Sequence, residues 1–116
     1  GAVMGFGMGL SERHIYDPQN GLPGNVGLVQ AKPASYLDVP SHMQTLAVDI
    51  VDPQNPVGSK GIGEPVEGCA TAAVLAAISD ALGGHYFNRA PVLPDMIVNA
   101  AAGRSPSHKP LQVSTA

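Results

Sequence analysis

The chain has 116 residues, 44% of them apolar, and a formal net charge of −3, which suits one modest core and therefore one domain or a piece of one. The acidic balance gives no basic field for nucleic acid or an anionic membrane surface, and low charge with a sizeable apolar fraction excludes a wholly disordered chain. Gly (14) and Pro (11) are abundant and Trp is absent, so packing through small residues, completed by another surface, is expected.

Residues 1–16 open on Val3, Met4, Phe6, Met8 and Leu10 interleaved with glycines. Leu10, His14 and the preceding small residues suit a helical period, although a strand with alternating glycines is not separated from it by pattern. No charged segment makes this opening a signal peptide, and the missing initiator Met reads as a processed or excised chain. Asp17-Pro18-Gln19-Asn20-Gly21 supplies a turn, and residues 22–40 are punctuated by Pro and Gly.

From Gln44 to Val51, Leu46, Val48 and Ile50 alternate with Thr45, Ala47 and Asp49, the pattern of a half-buried strand. Asp52-Pro53-Gln54-Asn55-Pro56 closes it. Gly58-Ser59-Lys60-Gly61-Ile62-Gly63-Glu64-Pro65 then brings three glycines within six positions, where backbone can take positive φ and approach a bound group closely. Pro65 biases Glu64 toward extended backbone, so a carboxylate stands on the rim of a loop whose N–H groups favour anions.

Thr71–Leu82 is the best helix, with five alanines and a stripe of Val74, Leu75, Ile78 and Leu82; Gly83-Gly84 should cap it in the left-handed region. A short strand is expected over 85–91, a short helix over 94–100, and a tail over 104–116. These elements predict an α+β fold, a small incomplete mixed sheet with two to three helices, in a domain spanning 1–103. Cys69, the lone cysteine, forms no disulfide within the chain and reads as a small buried packing residue. It agrees with a reducing, cytoplasmic setting, the periplasm being the alternative. The four histidines are scattered, without spacing for a protein-ligated metal. The apolar run Cys69–Ile78 is about half a bilayer span.

The order of motifs carries a resemblance. A glycine-studded opening leads to Ser11-Glu12 and Tyr16-Asp17-Pro18-Gln19-Asn20-Gly21, then Lys32-Pro33, Asp38-Val39-Pro40, the 58–65 loop, Asp80-Ala81-Leu82-Gly83 and Ala90-Pro91-Val92-Leu93-Pro94-Asp95. Over residues 1–102 this resembles the C-terminal end of the molybdopterin-binding subunit of the xanthine dehydrogenase/aldehyde oxidase family. The resemblance implies that Glu64 is the general base of a hydroxylase that oxidises an sp² carbon of an aldehyde or N-heterocycle with oxygen from water. It further implies that Gly61, Ile62, Gly63 and Gly5 contact a molybdenum-bearing molybdopterin, expected in its cytosine dinucleotide form. Iron–sulfur clusters and FAD would sit on other domains or subunits. Met4 stands where many family members have a cofactor-contacting Gln, and it cannot donate that bond. The expected partners are the remaining molybdenum-subunit domains, the electron-transfer subunits and a small-molecule substrate, with turnover absent from the isolated chain. The competing readings are a non-catalytic assembly fragment and a nucleotide-phosphate module built on Gly58–Gly63, whose glycine spacing is not the dinucleotide fingerprint.

Overall fold

The computed structural model describes residues 1–108; the rest of the expected tail, 109–116, lies outside them. Four α-helices occur in the described part: α1 (Ala2–Leu10), α2 (Leu28–Ala31), α3 (Pro65–Ala81) and α4 (Pro94–Ala101), with a 3-10 turn at Tyr36–Asp38. The architecture is all-α.

That overturns the expected α+β fold with its incomplete mixed sheet. Among the described residues there is no strand, only an isolated antiparallel bridge between Tyr16 and Pro23. Residues 44–51 run without regular structure and leave Leu46 91% exposed and Ile50 76% exposed. Alternating apolar residues form a strand only when another edge takes up their backbone groups, and within residues 1–108 none does. Residues 85–91, the second expected strand, contain only bends and irregular backbone.

The helices follow from local chemistry, with shifted bounds. α1 ends at Leu10 rather than 16, because the Gly7 carbonyl takes both the Ser11 (2.9 Å) and Glu12 (2.8 Å) N–H groups and turns the chain. α3 begins six residues earlier than the alanine pattern implied. Pro65 occupies its first turn, where a missing N–H costs nothing and the fixed φ suits a helix. At its far end Gly83 and Gly84 take φ of +68° and +91°, and the Gly84 N–H reaches back to the Ser79 carbonyl at 2.8 Å, the expected left-handed cap. α4 likewise starts on Pro94 and carries Asp95 in its first turn.

The packing of α1 on α3 organises the rest. A Cβ placed on Gly1 would meet Val66 and Glu67, one on Gly5 Ala70 and Thr71, and one on Gly9 Val74 and Leu75. The two helices therefore run parallel and in step, with every fourth residue of α1 a glycine facing its neighbour. The approach is so close that the Gly5 methyl would overlap the Glu67 carbonyl oxygen and stand 2.6 Å from Ala70 Cβ. Thr71 Oγ1 donates to the Gly5 carbonyl at 3.1 Å across this seam, and the Val92 N–H takes up the last-turn Gly9 carbonyl at 2.8 Å.

The apolar core is small. Phe87, Val92 and Met96 are buried, flanked by Leu75, Ile78 and Leu82 of α3 and by Leu93, Ile97 and Ala100. The accessible surface is 9278 Å², against roughly 5,900 Å² for a folded monomer of this mass. The radius of gyration is 17.8 Å against about 13 Å for a compact chain of this length. The molecule exposes apolar surface of a kind normally covered.

Candidate functional site at the shared helix start

Because α1 and α3 are parallel, their N-termini lie side by side, and the glycine loop and Glu64 sit at that end. A Cβ on Gly1 would overlap the Gly63 carbonyl oxygen, so the first turn of α1 abuts the loop directly. The start of α3 carries about half a positive charge from its aligned peptide dipoles, which favours an anion beside it.

Glu64 is the N-cap residue of α3, with φ −77° and ψ −33°. This is helical rather than the extended backbone expected before a proline. Its carbonyl accepts the Glu67 N–H at 2.9 Å, which compensates the crowding against Pro65. The side chain does not turn inward to cap the helix and is exposed. Among the described residues its carboxylate has no hydrogen-bond or ionic partner.

The loop before it is anchored at its base. The Asp52 N–H bonds the Gly58 carbonyl (3.0 Å) and the Gly58 N–H the Asn55 carbonyl (2.9 Å), while Asn55 Nδ2 donates to the Ser59 carbonyl at 3.0 Å. Gly58 has φ +71° and needs to be glycine there. Beyond Ser59 the loop is open: at Gly61 and Gly63 nothing lies within 4 Å of where a Cβ would project, and Ile62 is exposed. Neither Gly61 nor Gly63 has positive φ, so what these two glycines provide is a bare backbone face. Among the described residues no three His, Cys, Asp or Glu side chains come together to hold a metal.

Gly5 sits one turn down the α1–α3 seam rather than at the open end. Its N–H bonds the Gly1 carbonyl (3.0 Å) and its carbonyl accepts from Thr71, so both backbone groups are engaged inside the protein. Its visible role is close helix packing. Cys69 is exposed rather than buried, because the side of α3 it occupies is not the one α1 covers. The close parallel packing of α1 on α3 was not foreseen; the Gly1, Gly5, Gly9 spacing was the signal for it.

A separate concavity lies away from Glu64. A groove of about 610 Å³ runs between Phe6 and Leu10 of α1, Lys32, Pro33, Asp38 and Val74, and Glu64 does not line it. No helix of the described residues is long and apolar enough to cross a membrane.

No family-level sequence profile matches the chain. It is 33% identical over 103 residues to the gamma subunit of the 6-hydroxypseudooxynicotine dehydrogenase complex of Paenarthrobacter nicotinovorans, which covers 88% of this chain and 13% of that protein. The nicotine 6-hydroxylase large subunit of the same organism is 33% identical over 105 residues, covering 89% of this chain and 13% of that one. A putative xanthine dehydrogenase molybdenum-binding subunit of Escherichia coli K12 is 33% identical over 94 residues, with 81% and 12% covered. The chain thus spans about an eighth of the length of these curated relatives.

Proposed function

The chain is a distant homologue of part of the molybdenum-binding subunits of xanthine dehydrogenase-family enzymes, and from that premise we propose that it is the segment of such a subunit that carries the general base, Glu64. The observation supporting this is the exposed carboxylate, without partner among the described residues, at the N-cap of the longest helix. It stands beside backbone left bare at Gly61 and Gly63.

A molybdenum–molybdopterin group, when bound, supplies the redox centre that oxidises an sp² carbon with oxygen drawn from water. The residues of this chain do the rest of the work assigned here. Glu64, held at the start of α3, accepts a proton at a carboxylate oxygen once a donor comes within about 3 Å. Gly61 and Gly63 let the cofactor approach the main chain, and Ile62 offers it an apolar contact. The start of α3 favours its negative charge. Gly5 contributes by letting α1 pack closely on α3.

Nicotine and xanthine, which appear in the names of the relatives, are both nitrogen heterocycles, which favours an N-heterocycle over an aldehyde as substrate. By the same analogy the cofactor is the cytosine dinucleotide form, and electrons leave through iron–sulfur and flavin groups on partner subunits. The isolated chain, lacking walls around Glu64, has no turnover of its own. Glu64→Gln in the assembled enzyme tests the assignment. Turnover falls by about 10²–10⁴-fold, the usual worth of a positioned base, at unchanged molybdenum and pterin content. Retained turnover at full cofactor content refutes it.

A further inference from the structure

We propose that Gly1 is a positioning residue for the general base: having no side chain, it lets the first turn of α1 stand directly behind the Gly63 carbonyl and so sets where Glu64 is held. The proposal rests on the reading of Glu64 as the base and adds the residue that places it.

Glu64 has to be placed by its surroundings. Its side chain is exposed and makes no capping hydrogen bond to α3, so the carboxylate goes where the main chain of Gly63 and Glu64 carries it. That main chain is tied on one side only. The Glu64 carbonyl accepts the Glu67 N–H at 2.9 Å, which joins it to α3. Upstream, the side chain of Asn55 reaches as far as Ser59. Among the described residues no backbone–backbone hydrogen bond involves 60–63, and at Gly61 and Gly63 the space where a Cβ would project is empty. What backs the loop here is Gly1, against the Gly63 carbonyl oxygen.

Which partner yields decides the consequence. A methyl on Gly1 would overlap that oxygen and stand 3.0 Å from Val66 Cβ and 3.4 Å from the Glu67 nitrogen. The last two contacts are close to ordinary packing, whereas the oxygen must retreat by about 1 Å to regain van der Waals separation. α1 is not free to withdraw. The Gly5 N–H bonds the Gly1 carbonyl at 3.0 Å and the Val92 N–H bonds the Gly9 carbonyl at 2.8 Å, while Thr71 Oγ1 donates to the Gly5 carbonyl at 3.1 Å. The loop lacks such ties, so it moves and takes Glu64 with it. A base acts at hydrogen-bond distance, and misplacement by about 1 Å costs about a hundredfold in rate. Rotation of the glutamate side chain recovers part of that loss.

Gly1→Ala in the assembled enzyme, with turnover counted per bound molybdenum, tests this. The expected result is a kcat about 10–100-fold lower at unchanged KM, because Gly1 acts on the base and not on substrate binding. In a Glu64→Gln background the same change adds no further loss, since the two residues act as a unit. An undiminished kcat overturns the proposal. So does a loss that keeps its full size in the Glu64→Gln background, which would mean that Gly1 acts on something else. A readout independent of turnover is amide NMR of the 116-residue chain. Gly1→Ala shifts the Gly63 and Glu64 resonances and leaves Met96 and Ile97 of α4 in place. Unmoved Gly63 and Glu64 resonances overturn the proposal, even where the variant enzyme fails to assemble. Glu64→Gln alone reports on the base assignment: an active Glu64→Gln enzyme refutes that reading, whereas an inactive one beside a fully active Gly1→Ala enzyme refutes the positioning alone.

Discussion

Replacing Gly5 by Ala should destabilise the protein, although the same change in an exposed helix does the opposite. Alanine improves helix propensity over glycine by roughly 1 kcal/mol. At Gly5 the new methyl would overlap the Glu67 carbonyl oxygen and stand 2.6 Å from Ala70 Cβ and 3.0 Å from the Thr71 nitrogen. Two of those three atoms are backbone of α3, so no rotamer change relieves the clash and α1 must move away. Overpacking of this kind costs about 1–3 kcal/mol, and moving α1 also stretches the 3.1 Å bond from Thr71 Oγ1 to the Gly5 carbonyl, worth about 1 kcal/mol. The net loss is about 1–3 kcal/mol, a fall of roughly 5–20 °C in the unfolding midpoint for a domain of this size. Gly68→Ala is the matched control. It lies within α3, is exposed, and its added methyl meets nothing within 4 Å, so it should gain about 0.5–1 kcal/mol. Thermal melts followed at a helical circular dichroism band read both variants. If Gly5→Ala raises the midpoint as Gly68→Ala does, α1 and α3 are not in close parallel contact and the account of the site fails with them.

Other expectations follow from the same geometry. Thr71→Val removes the hydroxyl that links the helices but keeps the shape, and should cost about 0.5–1.5 kcal/mol in denaturant titration; no change would mean the 3.1 Å contact contributes nothing. Met96→Ala opens the small core, where Met96 is 4% exposed, and should cost about 2–5 kcal/mol, whereas Leu46→Ser, at an exposed position, should stay within about 0.5 kcal/mol of the parent. The Ser35 N–H and hydroxyl hold the Asp38 carboxyl below the ordinary aspartate value. A lowered folded-state value stabilises the ionised form, so the 3-10 turn it caps is fully favoured above the unfolded value of about 3.9. That support is lost as pH falls through the lowered value. An NMR titration should show the Ser35 amide shift following Asp38 below that pH, and a Ser35 signal that is flat with acidification would contradict the cap.

The helices were legible because their causes are local. The alanines and apolar stripe of α3, Pro94 and Asp95 at the start of α4, and Gly83-Gly84 as a stop act within a turn of the residues they affect. The segment proposed to carry the chemistry is likewise contiguous: glycines at 58, 61 and 63 followed by Glu64 stand together in the chain. What could not be read is long-range. Residues 44–51 carry a strand's alternation, but no edge within residues 1–108 meets them, so the pattern stays unrealised. Whether Gly5 serves a cofactor or a helix contact depends on α3, more than sixty residues away. Only the tertiary arrangement set α1 parallel to α3, brought the first turn of α1 against the Gly63 carbonyl and left the Glu64 carboxylate exposed. A periodicity specifies which side of a helix is small or apolar, whereas direction and partner are decided by what that side packs against.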